Sequence, residues 1–497
     1  MKTIKDVAGQ IKFNYAMSEL IKKMIMIDKD EESRLELIKY LVHFDINHFT
    51  GRYSDEWIER ELIQYGSKIR FKHTVSAKRN SVLHVMTGAY SIGGHTTIVN
   101  NWIDYDETRE YTVVFTNMRP KGVPQFFRET AKRTGTKLIF LNEKDTIRKA
   151  RELLKLSDEY ERIVLHTNMF DVIPIIAYSN KNWKRPVYFY NHANFLFSLG
   201  MSISDCVLCL CEYDKIKAKR YRGATKAYVL PMPMKTVVGV PLVVAEEEGI
   251  FDNQKIKNEI RMKYKIKQDS KIIISMGADY KYKKIIGYDF AEFVKKLMAE
   301  TENTYFFIIG ANTENVRWKK LSEETGNRAH ALGVLERDEV TKWMQIADIY
   351  VASFPMVAGG RAEAIENNIP TFSLKMTNRT RAYFDDTCCE SILELISCIK
   401  DELKNRGKYK STISILKDGE DEKTFWKNQL QSIWDHTLEH ETHSFVSNMI
   451  ISKEEIINTQ LEPKEERYPY INSSTLNRPI LKIIQAIYKI NLRNGDG

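Results

Sequence analysis

No stretch of this 497-residue chain approaches eighteen uninterrupted apolar residues, the length of an ordinary membrane-spanning helix. Its opening residues, Met1 to Ala8, lack the apolar core of a secretion signal, so the expected location is the cytoplasm. Cysteine is scarce, and the six present form no metal array. Cys206, Cys209 and Cys211 fall in an apolar, strand-like run that puts Cys209 and Cys211 on one face and Cys206 on the other. No second Cys or His pair is spaced to complete a four-ligand zinc site, so these read as buried thiols, and Cys388 and Cys389 say no more. Basic residues exceed acidic ones, 75 to 66, but they are spread along the chain. Without arginine-rich blocks or a basic stripe interleaved with aromatics, the excess points to small anionic substrates or lipid head groups, not to nucleic acid.

What is present is an ordinary globular composition, 43% hydrophobic and 28% charged, on a chain long enough for two or three domains. Residues 1–75 read as a helical N-terminal extension. Apolar residues recur at Leu20, Ile21, Met24 and Ile25 and again at Leu35, Leu37, Ile38 and Leu41, among charges. Such an extension suits an acceptor or partner surface. From Ser81 short apolar runs alternate with amphipathic segments. Strands are expected at Ser81 to Thr87, Tyr111 to Phe115, Lys137 to Leu141, Arg162 to His166, Pro186 to Tyr190 and Cys206 to Leu210. Helices are expected at Thr96 to Ile103, Pro124 to Thr134 and Asp145 to Leu156. This order predicts a parallel sheet with helical crossovers over residues 76–235. A polar, acid-rich linker (236–268) follows. A second alternating series (269–420) has strands at Lys271 to Met276, Tyr305 to Ile309, Ala329 to Leu332, Ile349 to Ala352 and Thr371 to Leu374. Two of its helices are expected at Asp289 to Ala299 and Arg337 to Ile346. The plan is α/β, with two doubly wound domains.

The most informative stretch is Ser353 to Pro370, which follows an apolar strand and enters a helix. Gly359 and Gly360 at the helix start let backbone N–H groups point at an anion, as in a phosphate seat, with Arg361 alongside. Glu363, one turn on, is placed to accept hydrogen bonds from ribose hydroxyls. This segment resembles that of two-domain glycosyltransferases of the GT-B fold, which set a ribose-binding acid seven residues before a Gly-x-Pro-like ending; Glu363 and Pro370 keep that spacing. The Ser-Phe-Pro and Gly-Gly pieces are most similar to O-GlcNAc transferases and bacterial cytoplasmic protein glucosyltransferases, and the ribose acid to family-4-like enzymes. Pro355 stands where many retaining members carry a first glutamate, a departure that favours inversion. The resemblance implies two facing Rossmann-like domains, with residues 421–497 supplying helices that return to the first domain through Lys423 to Leu438.

Ligands of parallel sheets bind beyond the carboxyl ends of the strands. After the first strand, Gly88 to Thr97 again contains a Gly pair, Gly93 and Gly94, followed by His95, the first candidate for a general base. His166, Asn168 and Asp171 follow another strand, and Asn191 and His192 the next. His166 and His192 are further catalytic candidates, one to orient an acceptor and one to handle a proton. In the second domain the first strand leads to Gly277 and then Lys283 and Lys284. The resemblance places a basic residue there against the donor diphosphate, with no metal or other cofactor. No Asp-x-Asp stands at a strand end, and Asp385 with Asp386 looks incidental. Arg478 to Arg493 is apolar and basic; packing on the protein is the simpler account, and peripheral contact with the inner face of an anionic membrane the alternative. The expected function is transfer of a sugar from a nucleoside-diphosphate donor, UDP-linked, to a glycan, lipid-linked or protein acceptor, in bacterial surface glycan or glycoconjugate synthesis. The rivals are a non-hydrolysing sugar-nucleotide epimerase and a non-catalytic nucleotide-sugar scaffold or sensor.

Overall fold

A computed structural model describes residues 4–91, 94–233, 253–285, 287–356, 360–376, 384–385, 387–409, 412–413, 422–437, 439–452 and 455–456. The 236–252 portion of the linker, Gly93, Gly359, Asp386, Leu438 and the basic segment Arg478 to Arg493 lie outside these residues. The chain forms two compact units, Met1–Pro233 with the chain from Lys423 onward, and Met234–Glu422. Among the described residues no helix is long and apolar enough to cross a membrane.

Among its described residues the first unit is built on seven parallel strands, β1 (Lys78–Met86), β2 (Glu110–Phe115), β3 (Lys137–Phe140), β4 (Tyr160–His166), β5 (Val187–Tyr190), β6 (Cys206–Cys209) and β7 (Ala227–Val229), in the order β3-β2-β1-β4-β5-β6-β7. The order reverses direction between β1 and β4, which makes their carboxyl ends the topological switch point where such sheets take ligands. Strand alternation divides the core in two. Leu83, Val85, Leu165 and Val207 face one layer with α2 (Glu31–Asn47), α3 (Glu56–Ser67), α6 (Thr146–Ser157) and α7 (Val172–Tyr178). Val82, Met86, Val164 and Tyr190 face the other, with α4 (Gly94–Tyr105) and α5 (Gln125–Thr134). Cys206 and Cys209 fall on opposite faces. The N-terminal helices, α1 (Ile4–Ile27) to α3, are no detached appendage: Ile21, Ile38, Leu41 and Leu62 lie in the same core as the sheet.

Polar residues place the helices. Asp145 caps α6 by accepting from the Arg148 N–H, and α5 ends on Gly135 in the left-handed region at φ +71°. The last described helix, α15 (Glu422–Asp435), packs on the α4 side, where Trp426 meets the Trp102 ring edge-on at 5.0 Å and donates Nε1–H to the Pro231 carbonyl at 2.9 Å.

Among its described residues the second unit carries six parallel strands, β8 (Lys271–Met276), β9 (Thr304–Ile309), β10 (Ala329–Gly333), β11 (Ile349–Val351), β12 (Thr371–Leu374) and β14 (Thr387–Cys389), ordered β10-β9-β8-β11-β12-β14; β13 (Phe384–Asp385) pairs separately. Its switch point lies between β8 and β11. One face packs on α10 (Phe290–Glu300), α11 (Val316–Glu324) and α14 (Ile392–Lys404), the other on α9 (Asn253–Lys263), α12 (Arg337–Ile346) and α13 (Gly360–Glu366).

Candidate functional site

At the first unit's switch point the sheet gathers histidines on its α4 face. His84 lies on that face of β1 between Val82 and Met86, and His166 ends β4 directly opposite Met86. His84 Nδ1 is 2.9 Å from His166 Nε2, and His166 Nδ1 is 2.9 Å from His192 Nε2, just beyond β5. His95, in the first turn of α4, brings its Nε2 to 2.7 Å from the His166 carbonyl oxygen and lies with its ring centroid 4.5 Å from that of His192. A carbonyl only accepts, so His95 carries its proton on Nε2 and presents Nδ1 as a lone pair. That Nδ1, and the Nδ1 of His192, have no hydrogen-bond partner among the described residues.

Burial holds all four imidazoles below the ordinary histidine range, His95 to about 4 and His84 to about 3, with His166 and His192 well below it. They are neutral at pH 7, the form a proton acceptor needs. His166, a sequence candidate for direct chemistry, is fully buried with both ring nitrogens occupied. Each of its ring nitrogens faces another imidazole, which leaves neither open to meet a ligand directly.

Neighbouring groups brace the loops that carry these rings. Asp171 is buried, caps α7 at the Ile173 N–H, and accepts from the hydroxyls of Thr87 and Thr116, joining the ends of β1 and β2 to the loop after β4. Asn168 donates its backbone N–H to Thr87 Oγ1 at 2.9 Å and its Nδ2–H to the Tyr90 hydroxyl at 2.7 Å. Gly94 opens α4, and a Cβ there would meet nothing within 4 Å.

In the second unit, Gly277 continues β8 and leads through a tight turn, Asp279–Tyr282, to Lys283 and Lys284. The Met356 N–H reaches the Lys281 carbonyl at 3.4 Å, so the loop after β11 lies against that turn. Phe354 anchors the loop in the core against Phe290 and Phe293. Gly360 is also required by packing. A Cβ there would stand 2.5 Å from Met276 Cε and 2.8 Å from the Tyr350 hydroxyl, so glycine lets the start of α13 close on the ends of β8 and β11. Arg361 is buried and Glu363 half-buried in the same turn, with the Glu363 charge acting on the buried Tyr350 phenol. Lys284 lies 3.1 Å from Asp289, the cap of α10. Gly277, the lysine turn, Gly360 and Glu363 thus share one switch point.

Residues 256–387 match the family model of glycosyl transferases group 1. A glycosyltransferase from Rickettsia africae is similar in structure at TM-score 0.51 and 11% identity, over 77% of this chain and 99% of that one. The chain has the GT-B fold, and its residues 256–387 resemble glycosyl transferases group 1. Other similar structures are HepE of Anabaena in complex with UDP and glucose (TM-score 0.48, 12% identity, 72% of this chain and 96% of that one) and an O-GlcNAc transferase mutant of Thermobaculum terrenum (0.45, 9%, 91% and 83%). No curated protein matches the sequence. The matched segment of this GT-B chain runs from α9 into β14 and contains Gly277, Lys283, Lys284, Gly360, Arg361 and Glu363.

Sequence reasoning missed His84. Its signal was a polar residue inside the apolar run of a central strand, which period-two reading assigns to the core.

Proposed function

We propose that this chain is a glycosyltransferase that uses a nucleoside-diphosphate sugar, UDP-linked, and transfers the sugar to a hydroxyl acceptor of a bacterial surface glycan or glycoconjugate. The observation that carries the reading is the assembly of Gly277, the Lys283 turn, Gly360 and Glu363 at one switch point of the second unit, inside the segment matched to glycosyl transferases group 1. Glu363 takes the ribose hydroxyls, and Lys283 and Lys284 meet the charge that develops on the departing diphosphate, with no metal in the scheme. In the first unit His95 Nδ1 takes the acceptor's hydroxyl proton. The freed oxygen bonds to the anomeric carbon as the bond from that carbon to the diphosphate oxygen breaks, and the configuration inverts. The reaction is placed in the cytoplasm.

Calorimetry with UDP and UDP-sugars tests the donor site. Glu363→Ala is expected to abolish measurable binding while thermal unfolding stays nearly unchanged; unaltered affinity refutes the assignment. Product formed from donor alone would instead mark an epimerase.

A further inference from the structure

His84, His166 and His192 are hydrogen-bonded in series, and each is neutral because burial disfavours its charged form. A neutral imidazole has one N–H and one lone pair, so each contact needs one donor and one acceptor and the protons order along the whole series together. In one register His192 donates from Nε2 to His166, His166 donates from Nε2 to His84, and His84 keeps its proton on Nε2. In the other, every proton moves to the opposite nitrogen and His192 presents Nδ1–H. The atom that His192 offers, Nδ1, is therefore a lone pair in the first register and a donor in the second.

The choice is made at the buried end. His84 stacks on Tyr111 at 5.2 Å and meets Trp102 edge-on at 5.1 Å. Asp106 is the charged group acting on it. The Asp106 carboxylate is held by the Tyr111 hydroxyl, Arg109 and the Thr108 N–H. Its negative charge favours a proton at this inner end. His166 faces His84, His95 and His192, and His192 faces His95, all of them neutral.

We propose that His84 and His166 are positioning residues that fix His192 as its Nε2–H tautomer, so that its Nδ1 lone pair stands with that of His95 as a second acceptor toward the substrate hydroxyl. The inference rests on the glycosyl-transfer reading for its use, but not for its geometry. Long-range ¹H–¹⁵N spectra of the full chain labelled with ¹⁵N-histidine, assigned by single histidine substitutions, report each tautomer directly. All three rings in the Nε2–H form at pH 7.5 is the expected result; His192 as Nδ1–H overturns the proposal. Kinetics give a second arm. His84→Asn keeps an acceptor near the Nδ1 position and preserves the register, whereas His84→Leu leaves His166 Nε2 facing carbon and drives its proton to the His192 side. His84→Leu is expected to lower kcat roughly a hundredfold with an unchanged KM for the nucleotide sugar, and His84→Asn to restore most of it. Equal losses in both variants would show mere packing and overturn the proposal. Should His84→Leu not fold, the spectra of the unaltered chain still decide. Expected tautomers with no transfer to any acceptor would uphold the relay and sink the transfer reading.

Discussion

Single residues show how burial decides chemistry. Asp45 on α2 is fully buried, and burial raises its carboxyl to about 7 against the pull of Arg52, with Asp55 adding to the rise. Its folded-state value lies above the unfolded one, so between pH 4 and 7 the native state binds the extra proton and stability falls as pH rises. Asp45→Asn removes that penalty. The variant should gain stability at pH 8 and little at pH 4, measured by urea unfolding at both; an equal change at the two values would dispose of the titration account. His95 answers to a different measurement. Its substitution by Ala should cost roughly 10²–10⁴-fold in transfer rate while UDP affinity, measured separately, stays level. His95 and His192 were legible in the sequence because they follow apolar runs, where strand ends put loops. His84 was not, because nothing in a lone polar residue of a core strand tells that the diagonal neighbour across the sheet is also an imidazole. Glu363 was legible from spacing, whereas the contact of Gly360 with Met276 and Tyr350 depends on a tertiary approach that spacing does not encode.

Elements repeat this contrast. Strands from β1 to β6 and β8 to β12 stood out because short β-branched runs, bounded by polar turns, have few other solutions. Helix α7 did not, since Val172 to Tyr178 are all buried and show no polar face, with Pro174 in the first turn. Its place is set by α3, through Gly66. A Cβ on Gly66 would stand 2.1 Å from Ser179 Oγ and 2.3 Å from the Ile176 carbonyl oxygen, so the two helices touch backbone to backbone. Gly66→Ala should therefore destabilise the first unit by about 1–3 kcal/mol. Gly9 in α1 is the control. It is exposed with nothing within 4 Å of an added Cβ, and Gly9→Ala should stabilise by up to about 1 kcal/mol. Opposite signs in thermal unfolding check both; a matching sign would mean that helix propensity, not the α3–α7 approach, governs Gly66.

At the scale of the whole molecule, histidine is unevenly shared. Ten of the eleven lie in the first unit, and only His330 in the second. Burial depresses His43 and His48 to about 4, as it does His95, and His84 to about 3, while His166 and His192 fall lower still. In each the folded-state value lies below the unfolded one. As pH falls from about 6.5 toward 4 the unfolded chain takes up protons that the folded unit refuses, so stability is lost at about 1.4 kcal/mol per pH unit for each such group. Asp45, Glu59 and Asp171 are raised by burial and act in the opposite direction, but the six histidines outnumber them. The second unit's one histidine, His330, is lowered by burial, and its lowered carboxylates, Asp289, Glu314 and Asp401, give up stability only below the ordinary carboxylate range. Calorimetric scans between pH 7 and 5 should accordingly show the first unit's transition moving down steeply while the second unit's moves little. A fragment of the second unit is not needed, because UDP protects only the transition of the unit that binds it and so labels the two. Parallel displacement of both transitions would refute the claim that neutral, buried imidazoles dominate the acid response. A steep shift in the first alone would connect the same burial that readies His95 to accept a proton with a measurable loss of stability in acid.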